Sequence, residues 1–132
     1  MRYLRTFALA SSGLVFGTIG LLALAAPIPV ARAYGFVLPG VDAFNEFRAV
    51  YTGFWLALAA AMITAARRPD VPLLGDLCGL MLLLQAAGRV VSLAVDGVPA
   101  PQFVAAMFAE ASAAAAILVA PRLARSNRAV AS

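Results

Sequence analysis

Four runs of about twenty apolar residues dominate this sequence, and each is closed by proline, by an arginine pair or by Asp-Gly. Wound as a helix, about twenty such residues match the hydrocarbon thickness of a bilayer. The first run covers roughly 6–26 and ends at Pro27 and Pro29. The second covers roughly 44–66 and ends at Arg67-Arg68-Pro69; the third covers roughly 73–95 and ends at Asp96-Gly97 and Pro99. The fourth covers roughly 102–120 and ends at Pro121. The prolines fall outside the runs, where a missing N–H and a fixed φ do no damage. The reading is one all-α domain over residues 1–132, an integral membrane four-helix bundle.

Composition agrees. The chain is 64% hydrophobic and only 12% charged, where a soluble domain carries about a quarter of its residues charged. Ten arginines outweigh six acids, but they sit at run ends rather than on one face, which argues against nucleic-acid binding. There is no histidine, so histidine-ligated haem is excluded and no metal site is expected. Cys78 is the only cysteine; it lies in the apolar run "LCGLMLLL" and reads as a buried small hydrophobe. No cofactor held by histidine or cysteine is expected.

The first run follows Arg2 and Arg5 and precedes "ARA" at 31–33, a combination that resembles a signal peptide. Its apolar stretch is longer than a signal core, and Gly13, Gly17 and Gly20 form a small-residue stripe suited to helix packing. Retention as a span is the expectation. With both termini cytoplasmic, Arg2, Arg5, Arg67, Arg68, Arg122, Arg125 and Arg128 lie inside and only Arg32 lies in an external loop. Loop 27–43 and the short turn 96–101 then face outward, toward the periplasm if the membrane is the inner membrane of a bacterium. Loop 27–43 carries Tyr34 and Phe36, which suit the membrane interface, and Pro29, Gly35 and Pro39 interrupt it.

Charges also occur inside the runs. At about 1.5 Å per residue, Arg48 lies about 6 Å, Arg89 about 10 Å and Glu110 about 12 Å below the outer surface. At 100° per residue, Gln85, Arg89, Ser92 and Asp96 form one stripe of the third run. Asn45, Arg48, Thr52 and Trp55 share a face of the second run, with Tyr51 at its edge and Glu46 about 100° away. Unpaired charges at membrane depth cost about 2.5–3.5 kcal/mol each, so Arg89 and Glu110 are expected to pair, and Arg48 with Asp96 next. Asp42 can cap the second helix, and Glu46 suits its early turns. Gly53 and Gly88 join Gly13 and Gly17 as expected close-packing positions. The cluster is read first as an interhelical staple and second as a site for a polar headgroup, an ion or a substrate.

"NEFRAVYTGFWLALA" at 45–59, "GRVVSLAVDGVP" at 88–99 and the membrane acid Glu110 together resemble a family of small bacterial membrane proteins known as domain of unknown function 4345. The resemblance covers nearly the whole chain. It implies a four-helix membrane bundle, distantly similar in shape to the DoxX-like proteins, some of which are linked to redox complexes. It implies signature positions at Asn45, Glu46, Arg48, Tyr51, Gly53, Gly88, Arg89, Ser92, Asp96, Gly97 and Glu110, and it implies no established activity.

Small size and short loops favour a non-enzymatic membrane protein, an accessory or structural subunit of a larger membrane complex whose charged cluster braces helices two to four. The alternative is a module that binds or transports a lipid, a quinone or a small anion with that cluster. Membrane lipids are the expected surroundings in either case. Catalysis is disfavoured, since serine without histidine and the lack of a Gly-rich phosphate loop leave only carboxylates and tyrosines as acid–base groups.

Overall fold

A computed structural model describes residues 2–120 and Arg122; of Arg2 only the backbone is described. Arg125 and Arg128, which enter the orientation argument, lie outside the described residues. Among the described residues the chain is all-helical. It comprises α1 (Arg2–Ala25), a short α2 (Pro27–Ala33), α3 (Val41–Arg67), α4 (Pro72–Val95) and α5 (Pro101–Leu118). All but α2 are long and apolar enough to cross a membrane. Pro27, Pro72 and Pro101 stand inside α2, α4 and α5 at their first turns, where the N–H has no intrahelical partner to lose. Gly97 adopts φ +96° immediately after the last turn of α4, a left-handed step that ends the helix and suits glycine. Gly40, not Asp42, is the N-cap of α3; Asp42 sits exposed in its first turn without a capping bond.

Each long helix packs on two neighbours. α1 lies against α3 and α5, and α4 lies against α5 and α3. Along the antiparallel α1–α3 seam, Gly13 faces Ile63 and the Ala59 carbonyl, Gly17 faces the Ala59 methyl, and Gly20 faces Leu56. The absent side chains let the backbones approach, which is how membrane helices gain van der Waals contact without a hydrophobic driving force. Gly79 does the same for α4, against Ile117 and Leu118 of α5. The remaining two expected packing glycines do not. Gly88 has nothing near it, and Gly53 meets only its own helix's Arg48 carbonyl; both are exposed. Leu9, Met62, Cys78, Leu82 and Ile117 fill the interior. Outward faces carry Leu14, Leu24, Leu84 and Phe108, all more than half exposed, an exterior suited to hydrocarbon.

At the end of the bundle near the α3–α4 turn, the mostly buried Arg5 reaches across from α1. Its Nη2 donates to the Pro72 carbonyl at 2.7 Å and lies 3.0 Å from Asp76 Oδ1. Gly75 leaves the room that the guanidinium occupies.

α3 is not one regular α-helix. Residues Arg48–Phe54 wind as a π-helix between α-helical Val41–Phe47 and Trp55–Arg67. A π turn takes up one more residue than an α turn, so residues before it are rotated by about 100° relative to an uninterrupted helix. The rotation places Phe47 inside and Arg48 outside. Within the α-helical part, Thr64 Oγ1 donates to the Ala60 carbonyl at 2.7 Å; Thr52, in the π stretch, is buried with no partner for its hydroxyl among the described residues.

Candidate functional site

The polar residues of α4 and α5 meet in the half of the bundle that carries α2. Gln85 and Arg89 lie four residues apart on one face of α4, and Glu110 projects from the facing turn of α5. Arg89 Nε donates to Glu110 Oε2 at 2.8 Å and its Nη2 donates to Oε1 at 3.0 Å. Gln85 Nε2 donates to the same Oε1 at 2.8 Å. Both carboxylate oxygens are therefore occupied, and the side chains are only 25% and 12% exposed, little enough to make the pairing a desolvated one.

These groups form one wall of a cavity of about 510 Å³. Ser11, Ser12, Val15, Phe16 and Ile19 of α1 form the opposite side, and Leu82 and Trp55 line it further. Tyr34, just after α2, and Phe103 of α5 partly close the top, their rings 5.9 Å apart. Val15 and Ala109 line the cavity and are exposed, so it opens sideways between α1 and α5; Ala33 and Gln102, also exposed, open it toward the α2 end. Arg89 and Phe103 also line a smaller cavity of about 180 Å³, between α4 and α5, with Ser92 and Pro99.

Aromatic packing holds the upper wall. Phe47 stacks on Tyr51 at 4.6 Å, Tyr51 meets Trp55 at 4.8 Å, and Trp55 meets Phe16 edge-on at 5.1 Å. Tyr34 contacts both Tyr51 and Trp55, at 5.4 and 6.0 Å. The π stretch of α3 makes this column, because it brings Phe47, Tyr51 and Trp55 to one side. Burial pushes the Tyr34 phenol above its ordinary value; nearby Arg89 pulls it down and Glu110 pushes it up. The phenol is thus a protonated donor at neutral pH.

The structure divides the sequence candidates. Gln85, Arg89 and Glu110 are brought together at the main cavity, and Ser92 lies at the smaller one. Tyr51 stands behind the cavity wall, against Tyr34 and Trp55. Asn45, Glu46 and Arg48 are not in the cluster: all three are exposed on the outer side of α3. Arg48 lies over the Phe44 ring at 5.5 Å, and among the described residues it forms no salt bridge. Asp96 is exposed and accepts a hydrogen bond from Ser92 Oγ at 2.8 Å, not from Arg48. The Arg48–Asp96 pairing fails because the π stretch turns Arg48 away. The bracing ion pair joins α4 to α5, and α3 contributes aromatic rings instead of charge.

Sequence reasoning missed Tyr34, Phe103, Ser11 and Ser12 as cavity residues. Tyr34 and Phe36 suit a membrane interface by residue type, but Tyr34 folds inward. Ser11-Ser12 interrupts the first apolar run, and that adjacent hydroxyl pair was the available signal. No group of histidine, cysteine or carboxylate residues able to hold a metal ion occurs among the described residues.

A family model described as a domain of unknown function (DUF4345) matches residues 4–120. No curated protein and no solved structure matches the chain.

Proposed function

The chain belongs to the DUF4345 family, whose description states no activity, and from its geometry we propose a non-enzymatic, multi-pass membrane protein that takes an amphiphile from the bilayer into its cavity. The observation that carries this reading is the sideways opening of a mostly apolar cavity onto the face that lipid would cover, with Gln85, Arg89 and Glu110 on one wall. A head group reaches Arg89 and Gln85 while its tail remains between α1 and α5. The arginine distribution supports cytoplasmic termini with the cavity in the outer half, and the proposed setting is the inner membrane of a bacterium.

Native mass spectrometry of the protein extracted from its membrane tests the reading. The native chain retains a bound lipid-like species. Ala106→Phe, which projects a ring into the cavity, loses that species while keeping its helical content and melting temperature. Equal retention by both proteins would sink the proposal.

The accessory-subunit reading has its own support, in the exposed Asn45, Glu46 and Arg48 on the outer side of α3. Polar side chains at that position suit a partner chain or lipid head groups. Co-purification with a larger assembly in mild detergent, lost on Glu46→Leu with Arg48→Leu, supports the partner. Recovery only as a free monomer across several detergents counts against it.

A further inference from the structure

The cavity's charge and donor inventory narrows its occupant, on the premise that it receives an amphiphile at all. Among the described residues, Arg89 and Glu110 are the only charged ones lining it, and they neutralise each other at 2.8 Å. A net charge brought into this wall has no counter-charge left to meet, and burying it unpaired is costly. The same bonds fill three of the carboxylate's roughly four acceptor sites. Glu110 Oε1 already accepts from Gln85 and Arg89, and Oε2 accepts from Arg89. Arg89, by contrast, uses two of its five N–H donors on Glu110, which leaves three for other acceptors. The Tyr34 phenol adds a further donor at the cavity's top. The site therefore offers the spare donors of an arginine, uncharged acceptors on Gln85, Gln102, Ser11 and Ser12 beside the last site of Glu110, and no net charge. Its upper walls are the rings of Tyr34, Trp55 and Phe103, which suit a flat group with π or carbonyl character.

We propose that the occupant is an uncharged amphiphile with a flat, carbonyl-bearing head, which lies against Tyr34, Trp55 and Phe103 and accepts hydrogen bonds from Arg89. Anionic and cationic lipids are excluded by the absence of a free counter-charge, so Arg89 acts as a hydrogen-bond donor and not as an anion trap.

Trp55 is the only tryptophan of the chain and lines the cavity, so its fluorescence reports occupancy. The test uses three probes with the same ten-carbon chain, added to the protein in uncharged detergent micelles. These are a decyl-substituted benzoquinone, decyl phosphate and decyltrimethylammonium. The benzoquinone is followed by quenching and the other two by competition against it. The expected result is saturable quenching by the benzoquinone, abolished in Ala106→Phe, with both charged probes binding about tenfold or more weakly. Glu110→Gln keeps the side chain's shape and frees the charge of Arg89, so it shifts the preference about tenfold toward decyl phosphate.

If decyl phosphate competes as well as the benzoquinone in the native protein, the uncharged head is wrong while the cavity reading stands. If quenching is unsaturable and Ala106→Phe leaves it unchanged, the cavity reading falls as well. Should Glu110→Gln not fold, the ranking of the three probes on the native protein decides alone.

Discussion

Arg89 and Glu110 meet side-on, Nε to one carboxylate oxygen at 2.8 Å and Nη2 to the other at 3.0 Å. This geometry fixes the register of α4 on α5 at the level of the cavity, and neither partner is readily replaced. Arg89→Leu leaves a desolvated carboxylate and Glu110→Leu leaves a desolvated guanidinium, each at a cost of about 3 kcal/mol. The double substitution strands neither charge and costs less than the sum, with a coupling of about 1–3 kcal/mol. Unfolding the four proteins by denaturant in mixed micelles measures the cycle. Simple additivity would show that the two side chains are not energetically coupled.

The α1–α3 seam separates two glycines of similar sequence context. A Cβ at Gly13 would lie 3.0 Å from Ile63 Cγ1 and 3.2 Å from the Ala59 carbonyl oxygen, whereas one at Gly17 would make an ordinary 3.5 Å contact with the Ala59 methyl. Gly13→Ala therefore destabilises by about 1–3 kcal/mol, whereas Gly17→Ala, with an ordinary contact and the usual gain in helix propensity, stabilises by up to about 1 kcal/mol. Gly88→Ala, with open space around it, stabilises by about 0.5–1 kcal/mol through helix propensity. Thermal unfolding of the three variants gives the order. A Gly13→Ala protein as stable as the Gly17→Ala protein would contradict the seam.

Tyr34 links stability to alkaline pH. Burial raises its phenol above the unfolded value, so the folded state holds the proton more tightly. Its contribution is complete below the ordinary tyrosine value and is lost as pH rises past it toward the raised one. Native protein should lose more melting temperature than Tyr34→Phe between about pH 9 and about pH 11. Parallel losses in the two proteins would remove Tyr34 as the cause.

The proposed orientation is accessible through the lone cysteine. Cys78 is buried, so Cys78→Ala provides a background for single-cysteine labelling. Val98→Cys, in the exposed turn between α4 and α5, should react with a membrane-impermeant maleimide in cells with a permeabilised outer membrane. Asp70→Cys, in the exposed turn between α3 and α4, should react only after the inner membrane is opened. The reverse pattern would invert the topology.

Much of the architecture was legible in the sequence because hydropathy over twenty residues is a strong and local signal. The four spans follow from it to within a few residues, and α3 starts three residues earlier than its apolar run because Val41, Asp42 and Ala43 extend it. The facing of Arg89 and Glu110 was legible too, since α4 and α5 are regular helices over those positions and the 100° rule holds. The same rule failed for Asn45 and Arg48. Nothing in "RAVYTGF" announces a π stretch, and a single added residue per turn is enough to exchange inside for outside. The cavity itself was not legible, because its lining is drawn from all four long helices at once and from Tyr34 folding back after α2.

The π stretch has a consequence for how α3 is written. Its two ends are spelled in different reading frames, and the spacer between them carries one letter too many for an ordinary helix. Removing Gly53 would put both ends in a single frame with Phe47 still inside, so that deletion should be tolerated. Keeping the letter but winding the segment as an α-helix would put Arg48 in place of Phe47 on the face of Trp55. One chain thus encodes two faces for the same wall, one aromatic and one cationic, and the helix's winding alone selects between them.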